Sequence, residues 1–254
     1  MVSSDQRRRQ LAREKFERQQ QRRTEAKKKA KQRNAVIAAV LAVVLAAGGA
    51  AYVLIGLADG DDAAKKKDDA PTADSGEPAM AIDKKAKYSL DLTTDRGEVS
   101  IAMDAAKTPH TVNSFKSLAD KGYFNGTKCH RLTTEGIFVL QCGDPKGNGQ
   151  GGPGYNIPDE NLDGLGKAGD DGKVAFPAGT VAMANTSAPN TGGSQFFLVY
   201  KDSRLPPTYT PFGKMDAKGL KAVQEVAKAG VDGGGSDGAP KTSVTLEKAA
   251  VPKV

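Results

Sequence analysis

Four short segments carry the residues that could do chemistry: His130-Arg131, Phe138-Val139 with Gln141, Ala184-Asn185, and Gln195 with Phe197. Side chains alternate along a strand, so Gln195 and Phe197 point the same way. Phe138 and Gln141 are three apart, and share a face only where a bulge or bend intervenes. Together these residues describe an apolar floor with one guanidinium and several amides. The set holds no nucleophile, general base or metal ligand cluster. It suits binding and polarising a neutral peptide backbone. The competing reading makes the phenylalanines plain core of a β protein.

Other chemistries find little support. GNGQGG at residues 147–152 fits G-x-G-x-x-G, but Pro153 and Gly154 follow it instead of a helix, so a dinucleotide site is rejected. Ser194 lacks the glycine two residues on that a nucleophile elbow needs. Asp159, Glu160 and Asp163 read as solvated loop carboxylates. The chain has two cysteines and two histidines, but Cys129 and His130 are adjacent and no paired metal-ligand spacing exists, so no metal is expected. Cys129 and Cys142 could form a disulfide in an oxidising compartment, or could be two small buried residues. No cofactor is called for.

The elements that must position these residues begin at Tyr88. YSLDLTT and EVSIAM alternate apolar and polar around Asp95-Arg96-Gly97, which predicts a hairpin. Thr108-Pro109 reads as an N-cap followed by proline in the first helical turn. Val112, Phe115, Leu118 and Ala119 keep helical spacing until Gly122. Short strands follow in GTKCHRL, GIFVLQCG, GTVAMAN and SQFFLVY, separated by Gly/Pro/Asn turns. MDAKGLKAVQEVAKAG predicts a second helix ended by Gly230, and KTSVTLEKA a last strand. The pattern is mainly β: a closed antiparallel barrel with helices over its ends.

The preceding residues are of another kind. Residues 1–34 hold thirteen Lys or Arg against four Asp or Glu, while the whole chain is +7, so residues 35–254 carry −2. The high pI belongs to this tail. Residues 35–58 contain no charge and would reach roughly 36 Å as a helix, enough to cross a hydrocarbon core. The run is too long for the apolar core of a cleaved signal peptide. Basic residues precede it, and five Asp against three Lys follow in ADGDDAAKKKDDA. The positive-inside rule then predicts a single-pass anchor in the cell membrane, with a cytoplasmic N-terminus and an extracytoplasmic domain. The tail's place beside the span favours lipid over nucleic acid as its partner. The expected domains are a basic tail (1–34), a transmembrane helix (35–58), a flexible linker (59–86) and a folded domain (87–254).

The folded region resembles the cyclophilin family of peptidyl-prolyl cis/trans isomerases, from about Tyr88 to Glu247. The resemblance rests on TVNSFKSLADKGYFNGTKCHRL, FVLQCGD, AMANTSAPNTGGSQFF and PFGKM in that order. It implies an eight-stranded antiparallel barrel capped by two helices. It assigns Arg131 as the catalytic arginine and Gln141 as the glutamine that bonds substrate backbone. Phe138, Val139, Phe197 and Leu205 fall where the proline ring is held, and Ala184, Asn185 and Gln195 where the residues before proline lie. Tyr209 stands where many members have a pocket histidine, Val139 where many have methionine, and Arg204 where many have a tryptophan. The stretch between Arg131 and Gln141 is two residues longer than in familiar animal members. The implied activity is X–Pro rotation in proteins folding outside the membrane, by a monomer acting on proline-containing polypeptides. The alternative is a membrane-tethered module that binds proline peptides, as a chaperone with little turnover.

Overall fold

The computed structural model describes residues 76–254. The basic tail, the apolar run and most of the linker expected from the sequence lie outside the described residues. Among those described, no helix is long and apolar enough to cross a membrane.

The fold opens with the hairpin that its alternation demands. Strands β1 (Tyr88–Thr94) and β2 (Gly97–Met103) pair in register from Tyr88↔Met103 to Thr94↔Gly97. Leu90, Leu92, Val99 and Ile101 are buried on their shared face. Helix α1 (Pro109–Asp120) follows. Its N-terminus corrects the simple cap reading, because Thr108 makes no side-chain bond to the helix. Thr108 Oγ1 donates instead to the Asp104 carbonyl at 2.7 Å. The Glu160 carboxylate accepts from His110 N at 3.0 Å and Thr111 N at 2.9 Å. A negative group there satisfies orphan amides and complements the helix dipole. Glu160 is thus a structural cap from a distant loop, not a free loop carboxylate.

The remaining strands are β3 (Thr127–Lys128), β4 (Arg131–Thr133), β5 (Val139–Cys142), β6 (Val174–Phe176), β7 (Thr180–Met183), β8 (Phe196–Val199), β9 (Ser203–Leu205), β10 (Pro211–Met215), β11 (Asp237–Gly238) and β12 (Thr245–Ala250). Helix α2 (Ala217–Lys228) lies between β10 and β11, and Asp216 caps it by accepting from Gly219 N at 2.8 Å.

Ten strands form one sheet in the order β11-β4-β5-β8-β7-β10-β2-β1-β12-β3, and β6 pairs with β9 separately. The sheet is an open half-barrel, which corrects the closed eight-stranded barrel. The expected single strand GTKCHRL breaks at Cys129-His130. Its first part pairs with β12 and its second with β5. The two sides of the sheet are therefore joined by the chain itself, not by a ladder. A lone Lys128↔Asp144 bridge and the bond from His130 N to the Gln141 carbonyl at 3.0 Å reinforce this seam. Cys129 and Cys142 form a disulfide across it, with their Cα atoms 4.0 Å apart.

The main core lies between the sheet and the helices. Phe115, Phe124, Phe196 and Phe212 are fully buried and meet in stacked, tilted and edge-on pairs. Each such ring contributes about 1.5–3 kcal/mol of burial. A second cluster lies on the opposite face: Val139, Val174, Phe176, Ala182, Phe197, Val199 and Leu205, with Ile137, Ala184 and Tyr209 packed against it.

Candidate active site

Three of the candidate residues form a lateral row across three strands, continued by Ala182 on a fourth. Arg131 on β4 is opposite Gln141 on β5, Gln141 is opposite Phe197 on β8, and Phe197 is opposite Ala182 on β7. Directly opposed residues share a face, so the row runs from a cation through an amide to an aromatic ring. Val139 lies two residues before Gln141 and belongs to the same face. Leu205 reaches this face because β9 pairs with β6, setting Val174 against Leu205. Tyr209 stands edge-on to Phe197, with ring centroids 5.4 Å apart.

Phe138 is the exception. The structure does not bring it into the cluster with Phe197 and Leu205. Its ring packs against the main core, edge-on to Tyr200 with centroids 6.0 Å apart and under Lys201 Nζ at 4.3 Å. β5 begins at Val139, so Ile137 and Phe138 precede the strand; within it Val139 and Gln141 face one way and Leu140 the other, and Phe138 packs on the side of Leu140, against the main core. Phe138 is further tied by its N–H to Ser203 Oγ at 2.8 Å. Ile137, in the bend before β5, packs against the second cluster instead.

An amide chain extends the row toward a groove. Gln141 Nε2 donates to Gln195 Oε1 at 2.8 Å, and Gln195 Nε2 donates to the Gly151 carbonyl at 2.8 Å. The groove holds about 960 Å³ and is lined by Gln141, Gln195, Ala184, Asn185, Thr191 and residues 149–154, among others. Asn185 Nδ2 donates to the Thr208 carbonyl at 2.6 Å. Lys146 is the one charged residue of this lining.

Asp144 shapes that wall. It is fully buried, and its carboxylate accepts from Lys146 N at 2.7 Å, Asn148 N at 3.0 Å and Gly149 N at 2.6 Å. Burial pushes its pKa up, but these amides and that of Gly151 outweigh it and hold the carboxyl below its ordinary value. A side chain at Gly151 would collide with this carboxylate, and one at Gly143 with the Ser194 carbonyl, so neither position admits a larger residue. Ser194 is itself buried, with Oγ donating to the Gly143 carbonyl at 2.7 Å, and is structural.

Arg131 is the cation of the row. Nε donates to Asp237 Oδ1 at 2.7 Å and Nη2 to Asp237 Oδ2 at 2.8 Å. Nη1 makes only a long contact of 3.4 Å with Gln141 Oε1. The pairing raises the arginine's pKa and lowers that of Asp237. Both side chains are well exposed, at 40% and 54%, so the pair adds only about 0.2–1 kcal/mol to stability. Its neighbour His130 has both ring nitrogens buried without a hydrogen-bond partner among the described residues, and burial lowers its pKa. Among the described residues no group of three or more His, Cys, Asp or Glu could hold a metal. What the arrangement offers is a fixed donor beside an apolar cluster, flanked by amides that can bond an extended chain.

Comparison with known proteins places this geometry. The family model described as cyclophilin type peptidyl-prolyl cis-trans isomerase/CLD matches residues 89–251. The probable peptidyl-prolyl cis-trans isomerase B of Mycobacterium tuberculosis (strain ATCC 25618 / H37Rv) is 51% identical over 165 residues, 63% of this chain and 53% of its own. That of Mycobacterium leprae (strain TN) is 51% identical over 166 residues, 64% of this chain and 56% of its own. The chain spans about half the length of these curated relatives. Human peptidyl-prolyl cis-trans isomerase-like 3 is 38% identical over 148 residues, 57% of this chain and 84% of its own. A solved Cryptosporidium parvum cyclophilin type peptidyl-prolyl cis-trans isomerase shares the fold, with a TM-score of 0.52 at 24% identity over 66% of this chain and 99% of its own.

Proposed function

The chain belongs to the cyclophilin-type peptidyl-prolyl cis-trans isomerase family, and from that premise we propose that residues 87–254 accelerate rotation about X–Pro bonds in polypeptides. The observation that carries the reading is the Arg131–Gln141–Phe197 row, which sets a permanent cation and a bonded amide beside an apolar cluster. The C. parvum relative has also been solved in the presence of the dipeptide Ala-Pro, which supports proline-containing peptides as the substrate class.

The chemistry requires no bond to break. Resonance gives the peptide C–N bond a rotation barrier of about 18–20 kcal/mol. Unaided X–Pro exchange takes tens to hundreds of seconds. In the twisted state resonance is lost and the prolyl nitrogen gains a free lone pair. A donor aimed at that nitrogen favours the twisted state over either ground state. Arg131 supplies the donor through Nη1 and stays charged at any working pH. Phe197, Val139 and Leu205 hold the ring, and Gln141 with Gln195 and Asn185 hold the flanking backbone. An acceleration near a millionfold needs roughly 8 kcal/mol, within reach of a charge-assisted bond plus fixed orientation.

The test is a proline-limited refolding assay with the 254-residue chain. Acceleration of the slow phase supports the reading; a folded chain that leaves the phase unchanged overturns it. We further infer that residues 35–58 anchor the domain in a membrane with the isomerase outside. The uncharged run and the basic excess before it support this. Protease accessibility of the domain in intact cells tests that placement.

A further inference from the structure

We propose that Asp237 is a positioning residue for catalysis, holding the Arg131 guanidinium so that Nη1 alone faces the substrate. The inference rests on the isomerase reading above.

Arg131 sits on a strand of three residues with its side chain 40% exposed. A long side chain in that setting samples many rotamers, and fixing it costs entropy at the moment of binding. Asp237 removes that freedom in advance. Its two oxygens engage Nε and Nη2, which lie on one edge of the planar fork, so both the plane and the direction of the third nitrogen are set. Nη1 is left with the 3.4 Å contact to Gln141, long enough for a substrate atom to replace it.

Asp237 is itself held by the fold. It stands opposite Thr133, and Gly238 opposite Leu132, so Asp237 is the diagonal neighbour of Arg131 on the same face. Thr134 N donates to the Ser236 carbonyl at 2.9 Å, and the Val231↔Pro240 bridge closes the base of the loop over a buried Val231. Gly233 and Gly234 turn the loop with φ of 74° and 77°, a conformation that costs other residues strain.

The carboxylate does not act by keeping Arg131 charged, since a guanidinium is charged without help. It also draws some positive potential away from the substrate. Its contribution is therefore orientation, which the two-point contact supplies and a single charge would not.

The test measures kcat and KM on an X–Pro peptide with the 254-residue chain, for Asp237→Ala and Asp237→Asn, in the wild-type and Arg131→Ala backgrounds. Asp237→Ala is expected to lower kcat about tenfold, or about 1.4 kcal/mol of transition-state stabilisation, with KM within twofold. Asp237→Asn falls between. In the Arg131→Ala background the loss is expected to vanish, because nothing remains to position. Side-chain ¹⁵N order parameters at Arg131 Nε are expected to fall in Asp237→Ala. An unchanged or raised kcat, a full tenfold loss persisting without Arg131, or undiminished order at Nε would overturn the proposal. A wild-type chain that folds but lacks activity would instead sink the isomerase reading, and with it the catalytic sense of Asp237.

Discussion

Arg131 and Phe197 lie two strands apart on one lateral row, with Gln141 opposite both of them. No local sequence pattern relates the guanidinium to the ring. The β4-β5-β8 pairing does, and it fixes their separation through backbone hydrogen bonds, the stiffest part of a sheet. A site built this way is preorganised, and side-chain changes can be read against an unchanging frame.

The face assignment of Phe138 gives the first prediction. Its ring packs against the main core, whereas Val139 belongs to the second cluster and Ile137 borders it. Phe138→Ala should cost about 2 kcal/mol of stability, somewhat below the range for fully buried rings because the residue is half-buried. Peptide affinity should fall less than in Ile137→Ala or Val139→Ala. Urea unfolding and peptide titration of the three variants decide the order. Equal stability with a selective affinity loss in Phe138→Ala would place that ring in the site instead.

Asp144 predicts a pH dependence. Its folded pKa lies below the ordinary value, so the unfolded chain binds protons more readily and folding gains stability as the carboxyl ionises. That contribution is complete above the unfolded value of about 3.9 and is lost as pH falls through the lower folded value. Asp144→Asn should cost about 2 kcal/mol near neutral pH, since several charge-assisted bonds weaken at once, and should flatten this acid limb. Denaturant unfolding from pH 7 down to about pH 2, below the ordinary carboxylate value, measures both. An unaltered acid limb in the variant would remove Asp144 as its source.

The Cys129–Cys142 disulfide spans the seam where the sheet fails to close. With a separation of 13 residues, the chain-entropy relation gives about 3 kcal/mol of stabilisation. Cys129→Ala with Cys142→Ala should lower stability by that order, and unreduced protein should show no titratable thiol until unfolded and reduced. Two reactive thiols in unreduced native protein would contradict the pairing.

The β1–β2 hairpin and both helices were legible in the sequence because their signals are local: alternation around Asp95-Arg96-Gly97, and helical spacing ended by Gly122 and Gly230. Non-local features were not. Glu160 caps α1 from about fifty residues away, and Asp237 reaches Arg131 across a separation of 106. Nothing in either neighbourhood marks such partners. The β6–β9 pair, which brings Leu205 to the site, and the break at Cys129-His130 likewise depend on how the sheet curls. Phe138 stands apart from the other site residues for a different reason. The family resemblance assigns it to the proline-ring site, while its ring packs against the main core from just before β5, where strand alternation no longer fixes a side chain's face.

The central claim is that a fixed guanidinium stabilises the twisted prolyl bond. The most direct measurement compares wild-type, Arg131→Lys and Arg131→Ala chains in X–Pro isomerisation, with thermal unfolding as the control for folding. Arg131→Ala is expected to lose at least a hundredfold in kcat/KM, about 2.7 kcal/mol, with peptide affinity nearly kept. Arg131→Lys should recover little, because an ammonium lacks the planar fork that Asp237 grips. A folded Arg131→Ala chain that isomerises at the wild-type rate would contradict the account.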